Sequence, residues 1–182
     1  ETGTITIVRA ARRAEFPARF QLVAAMNPCP CGHLGSRLKA CRCSPDQVAR
    51  YQGKLSGPLL DRIDLHVEVP ALAPQELLGA PSGEATPAIR ARVAAARERA
   101  LARQGRPNQA LQGADIDTHA MLDEPAMQLM RSAAAKLGWS ARGTHRALKV
   151  ARTIADLAGA QAVGAAHVAE AVQYRRTLHA AG

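Results

Sequence analysis

Aromatic residues are scarce in this sequence and make up 3% of its 182 residues. Proteins that hold single-stranded nucleic acids usually stack the bases on aromatic side chains, so the composition argues against a stacking platform. Lysine is scarce too, since 4 of the 24 basic residues are Lys and the other 20 are Arg. Arginine favours planar, bidentate contact with phosphate or carboxylate. With a net charge of +9, this composition predicts a polyanionic partner held through its phosphates, although a solvated helix face explains any single Arg equally well.

Long apolar runs are also missing. No stretch reaches the roughly 18 uninterrupted apolar residues of a membrane helix, and Glu1–Thr4 lack the basic start and apolar centre of a signal peptide. These absences predict a cytoplasmic protein without a membrane partner. Because the sequence does not begin with Met, we expect Glu1 to be an internal residue of a longer polypeptide.

The sequence lacks a phosphate-binding loop of the form G-x-x-x-x-G-K-[ST]. Gly53-Lys54 is followed by Leu55 and has no upstream Gly at the required spacing. The run 121–124 imitates the end of a Walker B strand, but it is short and Pro125 follows it. Since neither the Walker A nor the Walker B element is present, we predict that this chain does not hydrolyse ATP by itself.

The first seventy residues have the texture of strands. Thr4–Val8 alternates Thr with apolar residues and leads into a basic turn, which predicts a hairpin. Phe20–Met26 is almost continuously apolar, which is typical of a central strand covered on both faces. Ile63–Val69 alternates apolar and polar residues, which predicts an edge strand with one wet face.

The rest of the sequence predicts a linker and an all-helical domain. Residues 71–86 are rich in Pro, Gly, Ala and Ser and leave room for one short helix around Gln75–Leu78. Thr86 is the predicted N-cap of a helix with Pro87 as its first residue. The predicted inward stripe of that helix is Ile89, Val93, Ala96 and Ala100, and later helices are predicted to start at Asp123, Ser140 and Gly164.

The four cysteines form two C-x-C pairs, Cys29 with Cys31 and Cys41 with Cys43, separated by nine residues. Four thiolates at this spacing can close tetrahedrally around zinc, although C-x-x-C is the more usual pair. The spacing therefore predicts a structural zinc site with no open position for a catalytic water. Two disulfides, which a reducing cytoplasm disfavours, four free thiols and an iron–sulfur cluster are the alternatives.

Several motifs follow one another in a recognisable order. A hairpin and an apolar run that ends at Asn27 come first, the segment Leu59–Val67 (LLDRIDLHV) follows, and Ser140 opens a later helix. This order resembles the magnesium-chelatase-related AAA+ ATPases. The runs NPCPCG at 27–32 and ARTIADL at 151–157 resemble the ComM/YifB branch of that family in particular.

The resemblance covers essentially the whole chain and implies a fold of the α/β plus all-α class. Residues 1–70 would be the C-terminal part of an AAA+ core, with its last parallel strands, a pre-sensor hairpin and a cysteine-rich insertion at 29–43. After the linker at 71–86, residues 87–182 would form the helical lid. The longer protein is expected to bind ATP and Mg²⁺ and to assemble into a homo-hexameric ring.

The resemblance also implies roles for three polar residues. Asn27 corresponds to the sensor-1 residue, which bonds the γ-phosphate or positions the attacking water. Arg62 corresponds to the arginine finger, which reaches into the site of a neighbouring subunit. Arg142 corresponds to the sensor-2 arginine of the lid, which closes over the phosphates.

Each of these residues also has a structural alternative. Asn27 can simply turn the chain before a proline, and Arg62 can pair with Asp61 or Asp64. Arg142 can belong to a solvated basic helix face that it would share with residues 146 and 149.

Three further arginines, Arg9, Arg12 and Arg13, occupy the place of a hairpin that can face the pore of the ring and contact DNA. An exposed basic turn is the alternative. The resemblance implies an ATP-driven ring that moves DNA, as in branch migration during recombination of incoming DNA. A chelatase-type ATPase with a client other than DNA and a non-enzymatic, zinc-dependent nucleic-acid-binding module are the alternative functions.

The apolar run Phe20–Met26 carries one more expectation. Without the preceding strands of the sheet it would lie along an unpaired edge, so we expect self-association or disorder in the first seventy residues.

Overall fold

A computed structural model of the chain describes residues 3–10, 12–72, 75, 78–79 and 83–176. The chain divides into two compact units. The cysteine unit comprises Glu1–Gly35 and Lys39–Gln52, and the helical unit comprises Ser36–Leu38 and Gly53–Gly182. The predicted mixture of strands and helices is confirmed. The AAA+ core, the lid and their boundaries stay predictions.

The cysteine unit begins with the predicted hairpin. Strand β1 (Thr4–Arg9) pairs antiparallel with β2 (Arg12–Pro17), and the register places Thr4 opposite Pro17 and Arg9 opposite Arg12. At the start of the turn, Ala10 has a φ of 47°, in the left-handed region that tight hairpin turns use. Alternation of Thr with β-branched apolar residues favours this extended pairing.

Helix α1 (Pro45–Gln52) closes the cysteine unit, and sequence reasoning missed it. Its start is a capping box, a local signal that was available in the sequence. The backbone N–H of Ser44 donates to Oε1 of Gln47 at 3.0 Å, and the backbone N–H of Gln47 donates to Oγ of Ser44 at 3.3 Å. Two N–H groups that the helix start leaves unpaired are thus satisfied reciprocally.

Neither of the strands predicted after the hairpin forms. Residues 20–26 and 65–69 lie outside helices and strands, and β1 and β2 are the only paired strands in the part of the chain that the structure describes. The burial expected for the first run is wrong as well, since Phe20 is 76% and Val23 85% exposed. An apolar run becomes a central strand only when other strands hydrogen-bond to both of its edges.

The helical unit consists of six α-helices and one short 3₁₀ turn among its described residues. The bounds are α2 Gly57–Leu60, α3 Thr86–Gln104, the 3₁₀ turn Asn108–Ala110, α4 Ala114–His119, α5 Glu124–Lys136, α6 Ala141–Leu157 and α7 Ala165–Arg176. None of the described helices is both long and apolar enough to span a membrane. The short helix predicted around Gln75–Leu78 lies largely outside the described residues.

Two of the predicted helix starts are confirmed in atomic detail. Asp123 caps α5 by accepting the backbone N–H of Ala126 at 2.8 Å, and Ser140 caps α6 by accepting the backbone N–H of Gly143 at 3.0 Å. The prediction for α3 is wrong by one residue, because Ala85 occupies the cap position and Thr86 is already helical.

The core of the helical unit is built largely from alanine around α6. The cluster of fully or almost fully buried residues comprises Ala126, Met130, Ala147, Ala151, Ala155, Val163, Val168 and Ala171. On α3, Ala96 and Ala100 are buried as predicted, but Ile89 is 39% and Val93 53% exposed. The N-terminal half of that predicted stripe is wrong, and burial on α3 is confined to its small residues.

Candidate functional site

The four cysteines of the cysteine unit converge on one point. Sγ of Cys29 lies 3.4 Å from Sγ of Cys31 and 3.7 Å from Sγ of Cys41, and the latter two sulfurs are 3.6 Å apart. All four sulfurs, including that of Cys43, lie within 4.8 Å of one another. A tetrahedral zinc with Zn–S bonds of about 2.3 Å places its sulfurs about 3.8 Å apart. The thiols are free, and their arrangement fits a Cys₄ metal centre.

Neighbouring backbone groups favour the ionised form of one thiol in this cluster. Backbone hydrogen bonds from Arg42 and His33 lower the pKa of Cys31 to about 5. Cys41 and Cys43 have raised pKa values, because burial and the adjacent sulfurs outweigh a favourable backbone hydrogen bond at each thiol. Four mutually close thiolates repel one another, so a divalent cation is the group that lets all of them ionise together.

Asn27 lies beside this cluster. Gly32 follows Cys31 with a φ of 77°, a conformation that glycine adopts without strain. A Cβ added at Gly32 would meet Cγ of Asn27 at 3.7 Å, which is ordinary van der Waals contact. Helix α1 supports the same loop, since Nε2 of Gln52 donates to the carbonyl oxygen of Pro28 at 3.1 Å. The exposed amide of the sensor-1 candidate therefore lies against the metal-binding loop.

Arg62 follows α2 in the helical unit. Ser56 caps α2 by accepting the backbone N–H of Leu59 at 3.3 Å. Nη1 of Arg62 donates to the carbonyl oxygen of Pro58 at 2.7 Å, while the residue as a whole stays exposed. The guanidinium thus has a defined starting position and is still accessible.

Asp61, the residue before Arg62, lies against the start of α6. Its Oδ2 accepts a hydrogen bond from Oγ of Ser140 at 3.1 Å, and its Oδ1 accepts one from Nη2 of Arg175 at 3.1 Å. The approach to the helix is close, because a Cβ added at Gly143 would lie 3.1 Å from Oδ1 of Asp61. The carboxylate also complements the positive end of the α6 dipole.

The residues after Arg62 are bonded to side chains of α6 and α7. Nη1 of Arg175 donates to the carbonyl oxygen of Ile63 at 3.2 Å, and Nη1 of Arg146 donates to Oδ1 of Asp64 at 2.6 Å. The side chain of Arg175 is only 4% exposed and lies 5.6 Å from the ring centre of Trp139. Burial lowers the pKa of Arg175, and the nearby Asp61 carboxylate opposes that shift.

These contacts bear on the structural alternatives for the two arginines. Asp61 and Asp64 form ion pairs with Arg175 and Arg146, and both contacts leave the guanidinium of Arg62 with its bond to α2. Arg142 lies exposed in the first turn of α6. Residues 146 and 149 of the same face are engaged within the helical unit, since Nζ of Lys149 donates to the carbonyl oxygen of Gln109 at 3.2 Å. The face is therefore only partly a solvated basic surface.

A second polar cluster lies inside the helical unit, around Asp156. Its carboxylate accepts hydrogen bonds from Arg103 at 2.6 and 2.9 Å, from Nη2 of Arg152 at 3.0 Å and from Nδ2 of Asn108 at 2.8 Å. Arg152 also donates to two carbonyl oxygens beyond α6, those of Ala160 and Gln161, at 2.6 Å each. This cluster gives the ARTIADL run a structural role: it ties α3 and the 3₁₀ turn to α6.

The hairpin arginines take no part in the contacts described so far. Arg9, Arg12 and Arg13 are exposed, and Nη2 of Arg13 donates to Oε1 of Glu15 at 2.6 Å. They form a basic end of the cysteine unit, available to an anionic partner.

Within the units, the structure brings Asn27 to the cysteine cluster, and it brings the segment of Arg62 to the helix of Arg142. Sequence reasoning missed Arg175 and the contacts of Asp61 with Ser140 and Arg175. No local signal could reveal the pairing of Asp61 with Arg175, because the two residues are 114 positions apart.

The chain matches two protein-family models. Residues 83–175 match the family described as magnesium chelatase, subunit ChlI C-terminal, and residues 1–77 match magnesium chelatase, subunit ChlI.

Named relatives align over almost the whole chain. Competence protein ComM of Haemophilus influenzae is 45% identical over 96% of this chain and 34% of its own length. Uncharacterized protein YifB of Salmonella typhimurium and that of Escherichia coli are each 42% identical, again over 96% of this chain and 34% of their length. The chain therefore spans about a third of the length of these relatives.

Proposed function

Since this chain belongs to the magnesium chelatase subunit ChlI family, we propose that it is the C-terminal portion of an ATP-driven ring that acts on DNA. The observation that carries the proposal is the position of Arg62, accessible to solvent and flanked by residues bonded to α6 and α7. A group that serves a neighbouring subunit has to be both exposed and held in place.

Three residues would act on the nucleotide. Arg62 would stabilise the charge that develops on the transferred phosphoryl group in the adjacent subunit. Arg142 would contact the phosphates from the helical unit, and the Asn27 amide would orient the attacking water or the γ-phosphate. ATP would supply the reactive phosphoanhydride, and Mg²⁺ would neutralise charge on its phosphates.

DNA is the client that the charge distribution favours. The net charge is +9, and the hairpin presents three exposed arginines, Arg9, Arg12 and Arg13, that suit phosphate contacts. The Haemophilus relative is named a competence protein, and we extend that association to this chain as branch migration during recombination of incoming DNA.

The cysteine cluster would hold one zinc ion through four thiolates. With all four positions taken by protein, zinc would supply folding free energy and not a reactive water. In the ring it would fix the loop next to Asn27.

The test is ATP hydrolysis by the full-length protein, with and without branched DNA, for the wild type and Arg62→Ala. We expect DNA to stimulate hydrolysis and Arg62→Ala to lower kcat roughly a thousandfold or more, as loss of an arginine finger does. Arg90→Ala is the matched control, since Arg90 is an exposed arginine of α3 without an assigned role, and it should leave the rates with and without DNA unchanged. Hydrolysis indifferent to DNA would favour a chelatase-type ATPase with another client.

The sulfur geometry supports a second candidate, a non-enzymatic, zinc-dependent nucleic-acid-binding module. It predicts that this chain alone binds duplex DNA, that the affinity falls steeply with salt, and that chelation abolishes binding. Zinc-dependent DNA binding by this chain, together with no measurable ATP hydrolysis by the full-length protein, would favour the module over the motor.

A further inference from the structure

We propose that Asp61 is a positioning residue for Arg62: it anchors the segment of Arg62 to the start of α6. The inference rests on the proposed function, because it assigns Asp61 a task only if Arg62 acts on a nucleotide. It adds a residue that would not itself contact the phosphates.

The two residues that flank Arg62 are bonded to one buried side chain. Nη2 of Arg175 donates to the Asp61 carboxylate, and Nη1 of the same guanidinium donates to the carbonyl oxygen of Ile63, at 3.1 and 3.2 Å. Consecutive Cα atoms are only about 3.8 Å apart, so two anchored neighbours leave the backbone of Arg62 little freedom. The mobile part is the exposed side chain itself.

The buried guanidinium of Arg175 would be costly to leave without the Asp61 carboxylate. The side chain of Arg175 is 4% exposed, and a charge at such a position depends on its partner far more than a surface charge does. Trp139 covers the guanidinium, with 5.6 Å between the guanidinium carbon and the ring centre. Loss of the Asp61 carboxylate would leave a buried charge without its acidic partner in this contact.

The other oxygen of Asp61 reaches the first turn of α6. It accepts from Oγ of Ser140, and that hydroxyl in turn accepts the backbone N–H of Gly143. The segment of Arg62 is therefore tied to the first turn of α6 as well as to Arg175.

Gly143 shows that α6 is shaped for this carboxylate. Glycine within a helix is normally less favourable than alanine, yet a Cβ at this position would lie 3.1 Å from Oδ1 of Asp61 and 3.5 Å from Nη2 of Arg175. Alanine at position 143 would therefore push the carboxylate away without removing any charge or hydrogen-bonding group.

The experiment measures kcat and KM for ATP in the full-length protein for Asp61→Asn, Gly143→Ala, Arg62→Ala and the double variant Asp61→Asn/Arg62→Ala. Single-turnover rates at high protein concentration keep the slow variants measurable. We expect kcat to fall about 10- to 100-fold in Asp61→Asn, in line with the cost of a misplaced catalytic group, and about 2- to 5-fold in Gly143→Ala, where the carboxylate is displaced less. KM for ATP should stay within about twofold of the wild-type value, since contacts made only in the transition state affect kcat.

The double variant separates positioning from general damage. If Asp61 acts through Arg62, Asp61→Asn adds no further loss to Arg62→Ala; multiplying losses would overturn the inference. Asp117→Asn, at an exposed Asp, and Gly83→Ala, where an added Cβ meets nothing within 4 Å, are matched controls that should keep wild-type rates. If Asp61→Asn fails to fold, Gly143→Ala still decides the question.

The two hypotheses fail in different ways. Wild-type kcat in both Asp61→Asn and Gly143→Ala, with Arg62→Ala inactive, rejects the positioning role and leaves the arginine finger standing. Wild-type kcat in Arg62→Ala rejects the finger and the positioning role together.

Discussion

The cysteine unit and the helical unit differ in what is available to stabilise them. Among the described residues of the cysteine unit, Cys29 is the only buried one, and Phe20 and Val23 are largely exposed. The described part of the helical unit buries thirteen apolar residues and two arginines with acidic partners. A unit without an apolar core needs another source of order, and a metal centre is the one that its side chains offer.

Metal removal is expected to have the largest effect on the difference between the two units. Binding of a structural zinc contributes on the order of 10 kcal/mol to local folding. A strong chelator should therefore raise amide hydrogen exchange throughout 27–52 and leave exchange in α5, α6 and α7 unchanged.

The Cys31→Ser variant provides the control for chelation, because it should exchange fast in this loop with or without chelator. Equal exchange in the loaded and the chelated wild type would show that hydrogen bonds alone order the cysteine unit.

Asp156→Ala is the corresponding test for the helical unit. The variant would leave the buried guanidinium of Arg152 without its acidic partner, at a cost of about 3 to 5 kcal/mol in the free energy of unfolding. Urea unfolding followed by circular dichroism at 222 nm measures this difference. Asp117→Ala removes an exposed carboxylate from the same unit and should change the free energy by less than about 0.5 kcal/mol.

Low pH should weaken the same cluster, because the Asp156 carboxylate becomes protonated. Burial opposes ionisation of Asp156, but hydrogen bonds from Arg103 and Asn108 and the charge of Arg152 outweigh it, so its pKa is lowered in the folded chain. A lowered folded pKa gives stability that is present above the unfolded value of about 3.9 and is lost as the pH falls through the folded pKa.

As the pH drops below about 4, the free energy of unfolding of the wild type should therefore fall more steeply than that of Asp156→Ala. Parallel pH profiles for the two proteins would mean that other carboxylates account for the acid sensitivity.

Local signals predicted the local structure well. Thr/apolar alternation predicted the hairpin, and the caps at Asp123 and Ser140 predicted the starts of α5 and α6. The spacing of the cysteines predicted a cluster whose sulfurs converge.

Features that depend on distant partners were not predictable in this way. The apolar run at 20–26 has the composition of a central strand, but a strand exists only where other strands pair with it. The contacts of Asp61 and Arg175 join residues 114 positions apart. Neither sequence periodicity nor residue type specifies which distant charge a buried arginine meets.

The alanine core has a mechanical consequence for the helical unit. Five of the eight residues in the central cluster are alanines, and alanine has no side-chain rotamers that could absorb a change in helix spacing. A displacement of the first turn of α6 would therefore pass to α5 and α7 as a rigid shift, without repacking of side chains. The helical unit would therefore transmit a small displacement from one end to the other almost undiminished.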